Sequence, residues 1–339
     1  MKTVCFGEIM LRLAPEGYYR FFQNDRMEAT FGGAEGNVAV SLAGFGLDSA
    51  FVTKLPTHAI GQAAVNALNY FGVNTRHIAR GGERLGIYYL EKGASQRASL
   101  CIYDRAHSSV SESEPEDYDW DAIFDGASWF HFTGITPALG GKLPEILEEA
   151  CRAAKKRGIK ISCDLNYRAK LWSKEKACAV MSRLCPYVDL LIANEEDALS
   201  VFGIAAEGSD INGGKLSVAG YESVARQLTE RFGCEMVAFT LRKSLSASDN
   251  LWSGLLYDGK RSYTSREYAL HIVDRVGGGD SFGAGLIYSC LTGKDPQAAL
   301  EFAVAASALK HSIEGDFNRV TVSEVEKLAG GDASGRVQR

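Results

Sequence analysis

The chain has 339 residues, of which 46% are hydrophobic and 23% are charged, as in an ordinary soluble globular protein. Its net charge of −5 argues against a nucleic-acid-binding protein, which is usually basic. No apolar run approaches the roughly eighteen residues that span a bilayer, so we expect no membrane insertion. The length is compatible with one large α/β domain and a smaller appendage.

The cysteines and the N-terminus indicate the compartment. Eight cysteines are scattered along the chain without a C-x-x-C pair, which predicts neither a disulfide framework nor a zinc site. The N-terminal MKTVCFGEIM lacks the long apolar region and cleavage site of a signal peptide. We therefore expect a cytoplasmic protein with reduced thiols.

Short apolar runs alternate with helical patterns along most of the chain. Strands are predicted at 3–7, 49–55, 127–134, 160–166, 189–194 and 235–241. Helices are predicted at 36–45, 61–72, 143–158 and 221–233, and two more after Gly279 and Asp295. Because the helices end at glycines and the strands are continuous apolar runs, the pattern is typical of a parallel sheet covered by helices on both faces.

Two segments, 9–28 and 84–106, break this alternation and predict a small antiparallel sheet. So small a sheet exposes an apolar face unless that face covers a ligand or another subunit, so we interpret it as a lid. The alternative is a surface hairpin without a role. The predicted organisation is an α/β domain formed by 1–8, 29–83 and 107–330, the lid formed by 9–28 and 84–106, and a disordered tail at 331–339.

The stretch DRVGGGDSFGAGL, residues 274–286, places three glycines before an apolar helical pattern. The first amides of a helix have no partner within it, and glycine lets them approach an anion closely. Asp280 directly behind could act as a general base, an arrangement that suits phosphoryl transfer. The alternative is a tight turn followed by an aspartate that only complements the helix dipole. The stretch is neither a Walker A loop nor a dinucleotide-binding fingerprint.

This stretch resembles the D-x-x-G-x-G-D signature of the ribokinase-like (PfkB) carbohydrate kinases, and FGGAEGNVAVSLAGFG at 31–46 resembles the N-terminal signature of that family. GIYYLEKGASQRASLCIYDRAHSS, CDLNYR and SALKHSIEGDFN resemble its 2-keto-3-deoxygluconate kinases. The resemblance implies a three-layer α/β fold with a mostly parallel sheet and a β lid. It also implies ATP-dependent phosphorylation of the terminal hydroxyl of 2-keto-3-deoxygluconate.

Site residues follow from the same resemblance. It implies that Asp280 is the catalytic base and that the amides of Gly277, Gly278 and Gly279 form an anion hole. The implied substrate contacts are Gly32, Gly33, Asn37, Tyr89, Tyr103, Arg105, Arg168 and Asp316. The implied nucleotide contacts are Asn166, Arg168, Asn194, Thr240, Arg242, Gly277 and Gly279.

The proposed substrate is a carboxylate, and the guanidinium forks of Arg105 and Arg168 suit it. Tyr103 and Tyr89 would add hydroxyls and ring faces that exclude water. The alternatives are a surface ion pair of Arg105 with Asp104 or Glu112, and tyrosines that only fill the apolar face of the lid.

ANEED, residues 193–197, resembles an N-x-x-E motif that organises Mg²⁺ through water, but Asp197 stands in the fourth position. Either Asp197 serves with a shifted water, or Glu195 or Glu196 takes its place. The alternative is a solvated acidic helix start. Because Arg275 and Val276 replace two threonines that relatives often carry, no monovalent-cation site is assigned.

The expected partners are ATP, Mg²⁺, a small sugar acid and a second copy of the chain bound through the lid. Three alternatives are another PfkB sugar kinase such as a fructokinase, a non-catalytic nucleotide- or sugar-acid-binding regulator, and a dehydrogenase. The missing early glycine fingerprint disfavours the dehydrogenase.

Overall fold

A computed structural model describes residues 1–194, 196–208 and 217–335 of the protein. Its strands are β1 (Lys2–Phe6), β2 (Met10–Ala14), β3 (Glu28–Gly32), β4 (Asp48–Val52), β5 (Lys54–Leu55), β6 (Ala79–Arg80), β7 (Ile87–Glu91), β8 (Leu100–Asp104), β9 (Ala127–Thr133), β10 (Lys160–Asp164), β11 (Leu190–Ala193), β12 (Met236–Ser244), β13 (Asp249–Tyr257), β14 (Ser262–Thr264) and β15 (Tyr268–His271). Its α-helices are α1 (Ala34–Gly44), α2 (Ala59–Tyr70), α3 (Trp120–Ile123), α4 (Ile135–Ala138), α5 (Leu143–Lys156), α6 (Lys174–Leu184), α7 (Asp197–Phe202), α8 (Val218–Phe232), α9 (Gly278–Leu291), α10 (Pro296–Lys310) and α11 (Val322–Ala329).

The central sheet has the order β4-β1-β9-β10-β11-β12-β13-β14, and β15 also pairs with β13. Neighbouring strands from β4 to β12 are parallel, which confirms the predicted mostly parallel sheet. Beyond β12 the sheet continues with antiparallel strands, which the sequence patterns did not predict. These strands carry polar residues among their apolar ones, and their structure depends on the pairing of β13 with β12 and of β14 and β15 with β13.

Helices cover both faces of the sheet. One buried cluster joins the sheet to α1, α2, α9, α10 and α11, and a second joins it to α5, α6 and α8. The parallel strands are buried on both faces, which is why their sequences read as unbroken apolar runs. The result is the predicted three-layer arrangement.

The lid is a separate sheet with the order β3-β2-β7-β8. It is mixed rather than antiparallel, because β2 and β7 run parallel and the other pairs antiparallel. Strand β3 belongs to this sheet, so the lid continues past the predicted boundary at residue 28. One face buries Met10, Ala14, Tyr88 and Leu90.

The predicted disorder of residues 331–339 stays a prediction. Helix α11 ends at Ala329, and residues 332–335 form neither helix nor strand. The rest of the tail predicted at 331–339 lies outside the described residues. Among the described helices, none combines the length and apolarity needed to cross a bilayer.

The close packing of α9 on α10 provides a test of the core. A Cβ added at Gly285 would lie 2.6 Å from the Cα of Ala303, so Gly285→Ala must push the two helices apart. We expect a loss of about 1–3 kcal/mol in the free energy of unfolding. Exposed Gly44 in α1 has no atom within 4 Å of an added Cβ, so Gly44→Ala should be neutral or gain at most about 1 kcal/mol. Urea unfolding measures both, and equal stabilities would contradict the packing argument.

Candidate active site

A cavity of about 440 Å³ lies between the lid and the central sheet. Residues at the carboxyl ends of β1, β10 and β11 line it, together with the start of α9 and the inner face of the lid. The carboxyl edge of a parallel sheet is where ligands bind in open α/β folds. Strand order therefore brings together residues that are far apart in the sequence.

Most of the predicted site residues line this cavity. They are Gly33, Asn37, Tyr103, Arg105, Asn166, Arg168, Asn194, Thr240, Arg242, Gly277, Gly279, Asp280 and Asp316. Four predicted residues do not line it, namely Gly32, Tyr89, Asp197 and Gly278.

The glycine stretch forms the turn into α9. Gly277 has a left-handed backbone with φ of 83°, which favours glycine, and an added Cβ would lie 2.2 Å from the carbonyl oxygen of Asp316. Among the described residues, no group accepts a hydrogen bond from the amides of Gly277, Gly279 and Asp280. These residues line the cavity, so their free N–H groups at a helix N-terminus can bind an anion.

Gly278 does not share this role. Its amide donates to the carbonyl of Arg275 at 3.4 Å, and its own carbonyl accepts from Ser307 Oγ at 2.7 Å. The ring of His311 occupies the space where a Cβ at position 278 would lie. The unpaired amides are therefore those of Gly277, Gly279 and Asp280, and Gly278 packs against α10 instead.

The Asp280 carboxyl group faces the cavity in the first turn of α9. Asn37 Nδ2 donates to its Oδ2 at 2.6 Å, and Asn37 Oδ1 accepts from the Gly33 amide at 3.3 Å. Burial raises the pKa of Asp280 to about 7, further supported by the carboxyl groups of Asp316 and Glu35 and opposed by the Asn37 hydrogen bond. A carboxyl group that ionises near neutral pH is suited to accept a proton from a substrate hydroxyl.

On the lid, Tyr88 rather than Tyr89 faces the cavity. Its hydroxyl donates to Asp316 Oδ1 at 2.6 Å, whereas the ring of Tyr89 packs edge-on against Phe21, with 6.5 Å between centroids. Successive side chains of a strand point to opposite faces, so a one-residue error moves the assignment to the wrong face. Gly32 also lies outside the cavity lining, where Asp316 Oδ2 would be 1.9 Å from an added Cβ.

The two predicted arginines differ in their partners. Arg105 is buried and pairs with Glu8, donating from Nε at 2.8 Å and also from Nη2, while Ser108 Oγ donates to the second oxygen of Glu8. This is neither of the surface pairs considered from the sequence. Arg168 Nη1 donates to the carbonyl of Tyr167 at 3.0 Å, and no salt bridge forms between Arg168 and any described carboxylate. The positive charge of Arg168 is therefore less compensated than that of Arg105.

The predicted metal residue Asp197 does not reach the cavity. Its oxygens accept hydrogen bonds from the amides of Tyr167 and Asn194 at 3.1 and 3.0 Å, so it joins two loops at the sheet edge. Glu196 does not line the cavity, and Glu195 lies outside the described residues.

Asp164, which the sequence analysis did not predict, does line the cavity. Burial raises its pKa well above the usual range, further supported by Asp197 and Asp280.

Other cavity residues were also missed. Glu35 accepts hydrogen bonds from the amide and hydroxyl of Thr133 and from Thr136 Oγ1, and burial raises its pKa. Trp252 and His311 contact each other at 4.9 Å between ring centroids. The available signal was a polar residue next to the end of a strand, as in Glu8 after β1 and Asp164 at the end of β10. No comparable signal marks Trp252, because β13 itself was not predicted.

Comparisons with known proteins show what this chain is similar to. The family described as pfkB family carbohydrate kinase matches residues 1–320. The 2-dehydro-3-deoxygalactonokinase of Haloferax volcanii is 33% identical over 98% of this chain and 98% of its own. The crystal structure of 2-dehydro-3-deoxygluconokinase from Thermotoga maritima is 53% identical, covers 98% of this chain and 100% of its own, and has a TM-score of 0.94. A PfkB family carbohydrate kinase from Listeria grayi is 36% identical over 97% of this chain and 100% of its own, with a TM-score of 0.90.

The hydrogen bond between Asn37 and Asp280 can be tested through the pKa of Asp280. Since this bond lowers the pKa of Asp280, we expect Asn37→Ala to move it above its value of about 7 in the unchanged protein. The carboxyl ¹³C chemical shift of labelled Asp280, followed from pH 4 to 9, measures both values. Asn66→Ala, on the exposed surface of α2, is the control and should leave the titration unchanged. An equal or lower pKa in Asn37→Ala would contradict the assigned bond.

Proposed function

Because this chain belongs to the pfkB family of carbohydrate kinases, we propose that it phosphorylates 2-keto-3-deoxygluconate at its terminal hydroxyl with ATP as donor. The observation that carries the proposal is the position of Asp280 beside the unpaired amides of Gly277 and Gly279 in one cavity. A base and an anion-binding turn next to each other are the two elements that phosphoryl transfer to an alcohol requires.

In the proposed reaction, the Asp280 carboxylate accepts the proton of the terminal hydroxyl as that oxygen attacks the γ-phosphorus of ATP. The new bond joins the sugar oxygen to phosphorus, and the bond from phosphorus to the bridging oxygen of ADP breaks. The free amides of Gly277, Gly279 and Asp280 stabilise the negative charge on the transferred group. Closure of the lid over the cavity excludes water from the reaction.

The cations of the cavity favour an acidic sugar over a neutral one. Arg168 lines the cavity without a carboxylate partner among the described residues, so it is the main candidate to pair with the substrate carboxylate. Arg105, whose charge Glu8 already balances, lies 5.2 Å from the ring centre of Tyr103. We infer that Arg105 orients Tyr103 and supplies hydrogen bonds rather than net charge.

We propose that Mg²⁺ binds in the same cavity. Asp164 and Asn194 line it. Burial, together with Asp197 and Asp280, holds the pKa of Asp164 well above its usual range, and the charge of Arg168 opposes this only in part. Mg²⁺ takes one or two carboxylates, waters and substrate phosphates, and no three His, Cys, Asp or Glu residues of the described chain form a closed metal cage. Asp164 and Asn194 would hold the ion through water, and when bound it would neutralise charge on the phosphates of ATP.

A substrate panel tests the function. Wild-type protein is assayed for ADP formation with 2-keto-3-deoxygluconate, 2-keto-3-deoxygalactonate, fructose, ribose and no sugar. We expect the sugar acids to be used at least about 100-fold more efficiently than fructose, because a cationic pocket discriminates strongly for its anionic ligand. The galactonate epimer is included because of the Haloferax volcanii relative. Preference for fructose would identify a fructokinase. No ADP formation with any of these compounds would favour the non-catalytic binding protein.

Asp280→Asn tests the base. The amide keeps the shape of the carboxyl group but cannot accept the proton, so we expect kcat to fall by about 10²–10⁴ with little change in sugar binding. In the wild type, kcat should fall below pH 7 as Asp280, whose pKa is about 7, becomes protonated. Asp332→Asn, at an exposed carboxylate near the C-terminus, is the control. Near wild-type turnover in Asp280→Asn would overturn the role.

We further propose that two copies associate through their lids in the cytoplasm. Large apolar side chains are exposed on the lid at Tyr18, Tyr19, Phe22, Leu100 and Ile102. Leu100 and Ile102 lie on β8, an edge strand, on the face opposite to Cys101 and Tyr103, which line the cavity. An exposed apolar group of this kind marks an interaction surface.

Sedimentation velocity tests this association. Ile102→Glu places a charge in the exposed apolar face, so we expect a dimer in the wild type and dissociation in the variant. Leu199→Glu, at a similarly exposed leucine on α7, should leave the dimer intact. A monomeric wild type, or a dimer unaffected by Ile102→Glu, would contradict association through the lid.

A further inference from the structure

Arg12 connects the lid to the main domain. It lies on β2, is 3% exposed, and does not line the active-site cavity. Its Nη2 donates to Asp274 Oδ2 at 2.5 Å and its Nη1 to Asp316 Oδ1 at 2.7 Å. A single guanidinium of the lid therefore joins two carboxylates of the main domain, a geometry that lysine could not reproduce.

Both carboxylates belong to segments that position the anion-binding turn. Asp274 begins the glycine stretch, and its Oδ1 accepts from the Val276 amide at 3.1 Å while its Oδ2 accepts from the Gly315 amide at 3.2 Å. The carbonyl of Asp316 packs directly on Gly277, where it leaves no room for a Cβ. The partners of Arg12 thus contact the turn from two sides.

The lid makes a second contact with the Asp316 carboxylate, because the Tyr88 hydroxyl donates to its Oδ1. Arg12, Lys310, Asp274 and Asp316 are each at most 3% exposed, and together they carry two positive and two negative charges. Lys310 Nζ donates to the carbonyl of Ile313 at 3.0 Å, directly before the Asp316 segment. Separating members of a buried, charge-balanced group is costly, so the lid cannot move independently of these carboxylates.

We propose that Arg12 is a positioning residue that couples the lid to the anion-binding turn, so that sugar acid under the lid and nucleotide at the turn strengthen each other's binding. The inference rests on the proposed function, because it assigns the two ligands to one cavity. Each ligand favours the arrangement in which lid and turn are joined, and this shared preference is a coupling free energy between the two sites.

The test is the binding of a non-hydrolysable ATP analogue, measured by calorimetry with and without a saturating amount of the sugar acid that the panel identifies. In the wild type, we expect the sugar acid to lower the Kd of the analogue within the usual range of about 5- to 150-fold. In the double variant Arg12→Met/Asp274→Asn, which removes one positive and one negative charge, the ratio should approach one. The Kd of each ligand alone should change much less.

Two further variants complete the design. Arg97→Met is the matched control, because Arg97 pairs with Glu91 inside the lid at 2.8 Å and should retain the full coupling. Arg12→Lys keeps the charge but not the fork, so its coupling should fall several-fold even if the double variant folds poorly. Unfolding temperatures are recorded for all variants. If Arg12 only stabilised the fold, its variants would lower the unfolding temperature without changing the coupling ratio.

Full coupling in both Arg12 variants, or no coupling in a wild type that binds both ligands, would overturn the inference. The substrate panel is judged on wild-type protein alone, whereas this test is judged on the difference between wild type and variants. Failure of the proposed function and failure of the inference are therefore distinguishable.

Discussion

The unpaired amides at the start of α9 are the constraint on which the site depends. The first N–H groups of a helix have no hydrogen-bond acceptor within that helix. The left-handed backbone of Gly277 turns these groups towards the cavity. Asp280 lies in the same turn, in surroundings that raise its pKa to about 7. The turn therefore offers a place for transferred negative charge and, one residue away, a base that is half ionised at neutral pH.

The charges around this turn are divided by function. Those that hold the structure together are buried and paired, as Arg105 is with Glu8 and Arg12 with Asp274 and Asp316. Arg168 and Asp164, which line the cavity, form no such salt bridge with another residue that the structure describes. Burial holds the pKa of Asp164 well above its usual range and Arg168 opposes this only in part, so a negative charge on Asp164 needs a further cation in the cavity. This division supports an acidic substrate at Arg168 and a cation near Asp164.

The lid combines two kinds of contact with the main domain. Its inner face is apolar at Met10, Tyr88 and Leu90, which suits closure over a ligand and the exclusion of water. Its charged contacts are directional and few, and they fix where the lid rests relative to α9. Apolar packing alone would allow the sheet to slide, whereas the guanidinium fork of Arg12 accepts one geometry.

The sequence by itself determined the parallel α/β fold, the presence of a small second sheet, and the turn with Asp280, because strand and helix periodicity and glycine conformation are local properties. It did not determine that Tyr88 rather than Tyr89 faces the cavity, since that depends on the register of β7 in the lid sheet. It also missed that Arg105 pairs with Glu8, that Gly278 packs on His311, and that Asp164 rather than Asp197 reaches the cavity. Each of these depends on contacts between segments far apart in the chain, which only the tertiary structure brings together.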